Sequence, residues 1–119
     1  METKPLALII EDDPDQNLVF TTALSQAGYE TESIMNGLKA QDRLTEVIPK
    51  MIVLDLHIPH ITGTTLLRQI RTDPRLGNAS IILATADAAL ANDLQAEADL
   101  VLLKPISFSQ LSILASRFI

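Results

Sequence analysis

The chain has 119 residues, no cysteine, and a formal net charge of −6 from fifteen acids against nine bases. That length suits one domain able to bury about two thirds of its unfolded surface, and the missing thiols exclude disulfides and thiolate metal sites while fitting a reducing, cytoplasmic setting. The acidic balance argues against direct nucleic-acid binding, and no apolar stretch approaches the ~20 residues of a membrane span.

The first apolar run, Leu6 to Ile10, predicts a strand buried on both faces, ended by Glu11-Asp12-Asp13. Asp13-Pro14 reads as an N-cap followed by proline at the first helical position. Phe20, Ala23, Leu24 and Ala27 then recur at helical spacing until Gly28 ends the helix. Tyr29 to Met35 alternates as a second strand. Asn36-Gly37 turns into a helix whose expected apolar face is Ala40, Leu44, Val47 and Ile48, stopped by Pro49.

Met51 to Leu54 predicts the third strand, closed by Asp55. Beyond a loop containing Pro59, a third helix carries Leu66, Leu67 and Ile70, and Asp73-Pro74 breaks it. Ser80 to Ala84 reads as the fourth strand, and Leu90 and Leu94 mark a short fourth helix. Leu100 to Leu103 is the fifth strand, ended by Lys104-Pro105. The last helix takes Ser107 as cap and is expected to turn Phe108, Leu111, Leu114, Ala115 and Phe118 inward.

Five strand–helix units with short connections require a parallel sheet covered on both faces. The expected fold is therefore α/β, a flavodoxin-like doubly wound (βα)5 domain over residues 1–119, with strand order 2-1-3-4-5. All C-terminal strand ends then point the same way, so Glu11, Asp12, Asp13, Asp55, Thr85 and Lys104 meet in one crevice where the strand order reverses. Gathered carboxylates repel, and a hard oxygen-seeking cation such as Mg²⁺ relieves them. Two acids, a backbone carbonyl and waters can fill its octahedron. Asp55 is a competent carboxylate nucleophile, Lys104 can pair with a phosphate oxygen or with Asp55, and Thr85 can donate its hydroxyl hydrogen. Phosphoryl transfer needs mostly positioning and charge stabilisation, which these groups can provide.

Glu11-Asp12, Asp55-Leu56-His57-Ile58-Pro59 with Gly63, Thr85-Ala86 and Lys104-Pro105 resemble the landmarks of receiver domains of two-component response regulators. The resemblance runs from Leu6 to about Phe118. It implies that Asp55 accepts a phosphoryl group from a histidine kinase or histidine phosphotransfer protein, and that a downstream effector protein or domain reads the result. The same resemblance casts Glu11 and Asp12 as the metal-binding acid pair, joined by Asp55 and the His57 backbone carbonyl. Asp13 could replace Glu11 if the strand ends one residue later. Thr85 becomes the switch hydroxyl, Ala86 and Lys104 flank the phosphate, and the Lys104-Pro105 peptide bond is expected to be cis. The catalysis implied is of the chain's own phosphorylation and dephosphorylation, with no separate substrate.

Taken singly, each landmark has an ordinary reading. Asp12 or Asp13 before Pro14 can simply cap a helix, Thr85 can be a strand residue, and Lys104 a solvated charge. His57 and His60 find no further His or Cys to complete a zinc site, and Ile113 falls opposite the inward stripe of its helix. Three departures from the receiver pattern concern signalling. Val101 stands where such domains carry an aromatic, the Thr85–Lys104 stretch is short, and Glu97 replaces a common glycine. They leave a second reading open, a pseudo-receiver that is never phosphorylated and binds a partner constitutively.

Overall fold

The structure, a computed structural model, describes residues 3–119. Five strands alternate with five α-helices: β1 (Leu6–Ile10), α1 (Pro14–Gln26), β2 (Glu30–Ile34), α2 (Gly37–Leu44), β3 (Met51–Asp55), α3 (Gly63–Thr72), β4 (Ser80–Thr85), α4 (Ala88–Leu94), β5 (Leu100–Leu103) and α5 (Phe108–Ser116). All strands pair in parallel, in the order β2-β1-β3-β4-β5, so the flavodoxin-like expectation holds.

The continuous apolar runs follow from burial on two faces. Leu8, Ile10, Ile52 and Leu54 point to one side, against Ala40 and Leu44 of α2 and Leu66, Leu67 and Ile70 of α3. Their neighbours Ala7, Ile9 and Val53 point to the other, against Phe20, Ala23 and Leu24 of α1 and Leu111 and Ala115 of α5. Burying one such Leu or Ile side chain contributes about 1.5–3 kcal/mol relative to leaving it in water. Tyr29 is buried as well, and its hydroxyl donates to the Ala115 carbonyl at 2.9 Å, tying the start of β2 to the end of α5.

Each of the five helices has a side-chain cap at its N-terminus: Asp13, Asn36, Thr62, Asp87 and Ser107 all accept from a first-turn amide. Two expected core positions lie outside the core. Ile48 is 64% exposed, because α2 closes at Leu44 with Thr45 as C-cap and the helical spacing no longer applies four residues on. Phe108 is 38% exposed, since it is the first residue of α5 in a stretch, Ser107 to Gln110, that faces solvent throughout.

Candidate functional site

The register brings the C-terminal strand ends together. Asp55 lies beside Ala84 on the neighbouring strand, and Thr85 beside Leu103. The ladder continues past the strands: the Leu56 amide donates to the Ala84 carbonyl at 3.3 Å and the Lys104 amide to the Thr85 carbonyl at 2.8 Å. Gly63, at the start of α3, packs against the end of β3. A side chain there would place its Cβ 2.6 Å from the Asp55 carbonyl oxygen, so only glycine lets α3 approach this closely.

Carboxylate oxygens of Glu11, Asp12 and Asp55 lie within 4.8 Å of one another. Glu11 and Asp55 are buried and Asp12 is exposed, an acidic wall with one open side. The Lys104 ammonium enters this group, 2.8 Å from Glu11 Oε1 and 3.5 Å from Asp55 Oδ1. Glu11 and Asp55 thus share one cation, with Asp12 beside them, and formal charge is left over for a second. Burial pushes the Glu11 carboxyl up to about 7; the Lys104 hydrogen bond opposes this and Asp55 reinforces it. Gathered oxygen donors around a buried carboxyl that resists ionisation fit a hard divalent cation, which would neutralise what burial penalises.

Asp13 does not join the cluster. Its Oδ1 accepts from the Asp15 amide at 2.9 Å and the Gln16 amide at 3.2 Å, which makes it the cap of α1. β1 ends at Ile10, so the register puts Glu11 in the crevice and leaves Asp13 to the helix. His57 is exposed, and its amide donates to Asp55 Oδ1 at 3.2 Å. His60 follows in the same loop at φ 73°. Thr85 is fully buried and its hydroxyl accepts from the Asp87 amide at 3.1 Å, while Ala86 is exposed beside it. The Lys104-Pro105 peptide bond is cis.

Sequence reasoning missed Asn17. It is 3% exposed, and its amide nitrogen donates to the Glu11 carbonyl at 2.8 Å. A polar residue on the same helical stripe as Phe20 and Leu24 was the available signal.

On the far side of the crevice, Val101 is half-buried and packs against the α2–α3 core. Arg71 of α3 donates to the Glu97 carbonyl at 2.7 Å and to Asp99 Oδ2 at 3.1 Å. Asp99 in turn accepts from the Ile81 amide at 2.7 Å. The connection from α4 to β5 is therefore tied to α3 and to the start of β4. Leu103, Phe108 and Ile113 are exposed on β5 and α5.

Residues 7–115 match the family described as the response regulator receiver domain. The chain is 30% identical over 110 residues to the DNA-binding dual master transcriptional regulator RpaA of Synechocystis sp., covering 90% of this chain and 46% of that protein. It is 29% identical to the polar-differentiation response regulator DivK of Brucella anthropi, covering 87% of each. It thus spans less than half of the first relative and most of the second. Among solved structures, the receiver domain of the sensor histidine kinase PA1611 of Pseudomonas aeruginosa superposes with a TM-score of 0.85 at 25% identity over 98% of both chains. That structure is described with a magnesium ion coordinated in its active site cleft. Among the described residues here, no helix is long and apolar enough to cross a membrane.

Proposed function

The chain belongs to the response regulator receiver domain family, and on that premise we propose that Asp55 accepts a phosphoryl group from a phosphohistidine on a kinase or phosphotransfer protein. One observation carries the reading: the Asp55, Glu11 and Asp12 carboxylates cluster within 4.8 Å, with the Lys104 ammonium 3.5 Å from Asp55.

In the proposed step an Asp55 carboxylate oxygen attacks phosphorus, an O–P bond forms, and the donor's N–P bond breaks. The imidazole leaves with the electron pair and takes a proton from solvent. Glu11, Asp12, Asp55 and the His57 carbonyl would hold Mg²⁺, which supplies positive charge to neutralise and orient the phosphoryl oxygens. Lys104 then exchanges its contacts with Glu11 and Asp55 for a phosphoryl oxygen. The Thr85 hydroxyl, now an acceptor from the Asp87 amide, donates its free hydrogen to another. Water attack on the same phosphorus, in line with the Asp55 oxygen, reverses the state by hydrolysis. The signal passes to an effector protein or domain, and the location implied by a kinase donor is cytoplasmic.

Incubation with acetyl phosphate and Mg²⁺ is expected to add one phosphoryl group by intact mass, and Asp55→Asn to add none. No addition to wild type, or persistence in Asp55→Asn, rejects the reading. Val101, half-buried against the core where receivers carry a mobile aromatic, favours a second reading as a constitutive binding module. Equal partner affinity for wild type and Asp55→Ala, with and without phosphodonor, supports that alternative.

A further inference from the structure

Four polar or charged side chains are buried among the described residues: Glu11, Asp55, Thr85 and Asn17. The first three stand at the crevice, and Asn17 lies beneath it, on α1. Besides Glu11, its amide nitrogen reaches the Ile34 carbonyl at 3.4 Å and the Ile9 carbonyl at 3.5 Å. Its oxygen accepts from the Thr21 hydroxyl at 3.0 Å and from the Ser33 hydroxyl. Carbonyls only accept, so the amide has one orientation: nitrogen toward the strand ends, oxygen toward the hydroxyls.

The Glu11 carbonyl belongs to the peptide group that joins Glu11 to Asp12. Rotation of that group swings both carboxylates. The rest of the loop is held elsewhere: the Glu11 amide donates to the Ile34 carbonyl at 3.0 Å, the Asp13 amide to Glu11 Oε2 at 3.2 Å, and the Asn17 amide to the Asp13 carbonyl at 2.8 Å. The peptide between the two acids is left to the Asn17 side chain.

We propose that Asn17 is a positioning residue for the cation site, its side-chain amide setting the Glu11–Asp12 peptide and hence the affinity for a divalent cation. The role rests on the Mg²⁺ reading above and involves no contact with cation or phosphoryl group. A buried amide that merely satisfies the ends of β1 and β2 would change stability and leave cation affinity alone.

Full-length chains carrying Asn17→Ala, the isosteric Asn17→Asp, or Ala23→Gly are compared by urea unfolding, Mg²⁺ calorimetry and the Mg²⁺ dependence of phosphorylation by acetyl phosphate. Ala23→Gly weakens α1 without touching the loop. Both Asn17 variants are expected to raise the Mg²⁺ dissociation constant about tenfold, as loss of an outer-shell partner does. Half-saturating Mg²⁺ for phosphorylation rises in step, the rate at saturating Mg²⁺ stays within about twofold of wild type, and Ala23→Gly keeps wild-type affinity. Should Asn17→Ala not fold, Asn17→Ser carries the same expectation. Wild type that binds Mg²⁺, with variants of unchanged affinity, overturns the role of Asn17 alone. Wild type that binds no Mg²⁺ overturns both readings.

Discussion

Glu11 and Glu32 each hold a cation at hydrogen-bond distance, and their acidities move in opposite directions. Glu11 sits in the crevice, 2% exposed at the side chain, with Lys104 at 2.8 Å. Glu32 sits on β2, 33% exposed, with Arg43 bonded through both carboxylate oxygens at 2.6 and 2.9 Å. The Arg43 hydrogen bonds hold Glu32 below the usual carboxylate range, whereas burial pushes Glu11 up to about 7 despite Lys104. Pairing wins where water still solvates both partners, and desolvation wins where it does not. The crevice is thus built at the expense of stability, a cost that the proposed cation would offset.

The sharpest way to break this contrast is to remove the crevice cation. Lys104→Met leaves the acids without a counter-charge and is expected to lower unfolding free energy by about 3 kcal/mol near pH 8 without metal. Near pH 5.5 the loss shrinks, because Glu11 is then protonated; urea titrations at both conditions read the difference. Equal losses would mean that Lys104 supports the fold by packing alone.

Glu11→Gln is expected to act in the opposite sense. Folded Glu11 binds its proton more tightly than the unfolded chain does, so its contribution to stability falls as pH rises from about 4.5 to about 7. The substitution mimics the protonated group and stabilises the metal-free protein by about 2 kcal/mol near pH 8, a gain that vanishes below about pH 4. A destabilised variant near pH 8 would show that the Lys104 pair outweighs burial.

At the proposed site Mg²⁺ would need the same carboxyl ionised, so its affinity is expected to strengthen as pH rises through about 7, with proton release detected by calorimetry in buffers of different ionisation enthalpy. The smallest effect belongs to the surface pair. Arg43→Ala is expected to return the Glu32 carboxyl toward its ordinary value, seen by NMR titration, and to leave Mg²⁺ affinity unchanged. Because the folded pKa of Glu32 is depressed, its stabilising contribution is present above about pH 4.5 and lost as pH falls through the folded value.

The runs at Leu6–Ile10 and Met51–Leu54 were legible because a strand buried on both faces cannot afford polar alternation, and the acids that close them mark where the apolar environment ends. Asp13 before Pro14 was legible as a cap, but whether it or Glu11 entered the crevice turned on where β1 stops. Ile48 and Phe108 misled because periodicity on paper runs past the helix end at Leu44 and into the solvent-facing first turn of α5. Asn17 carried only a faint signal, one polar residue on an apolar stripe.

Local chemistry alone therefore determined the alternation of strands and helices, their caps, and the set of residues delivered to the strand ends. Tertiary structure decided which acid meets Lys104, 93 positions away from Glu11, what charge state that acid prefers, and which buried amide steadies its loop. Those outcomes depend on distance and on exclusion of water, and neither quantity exists until distant segments of the chain have packed together.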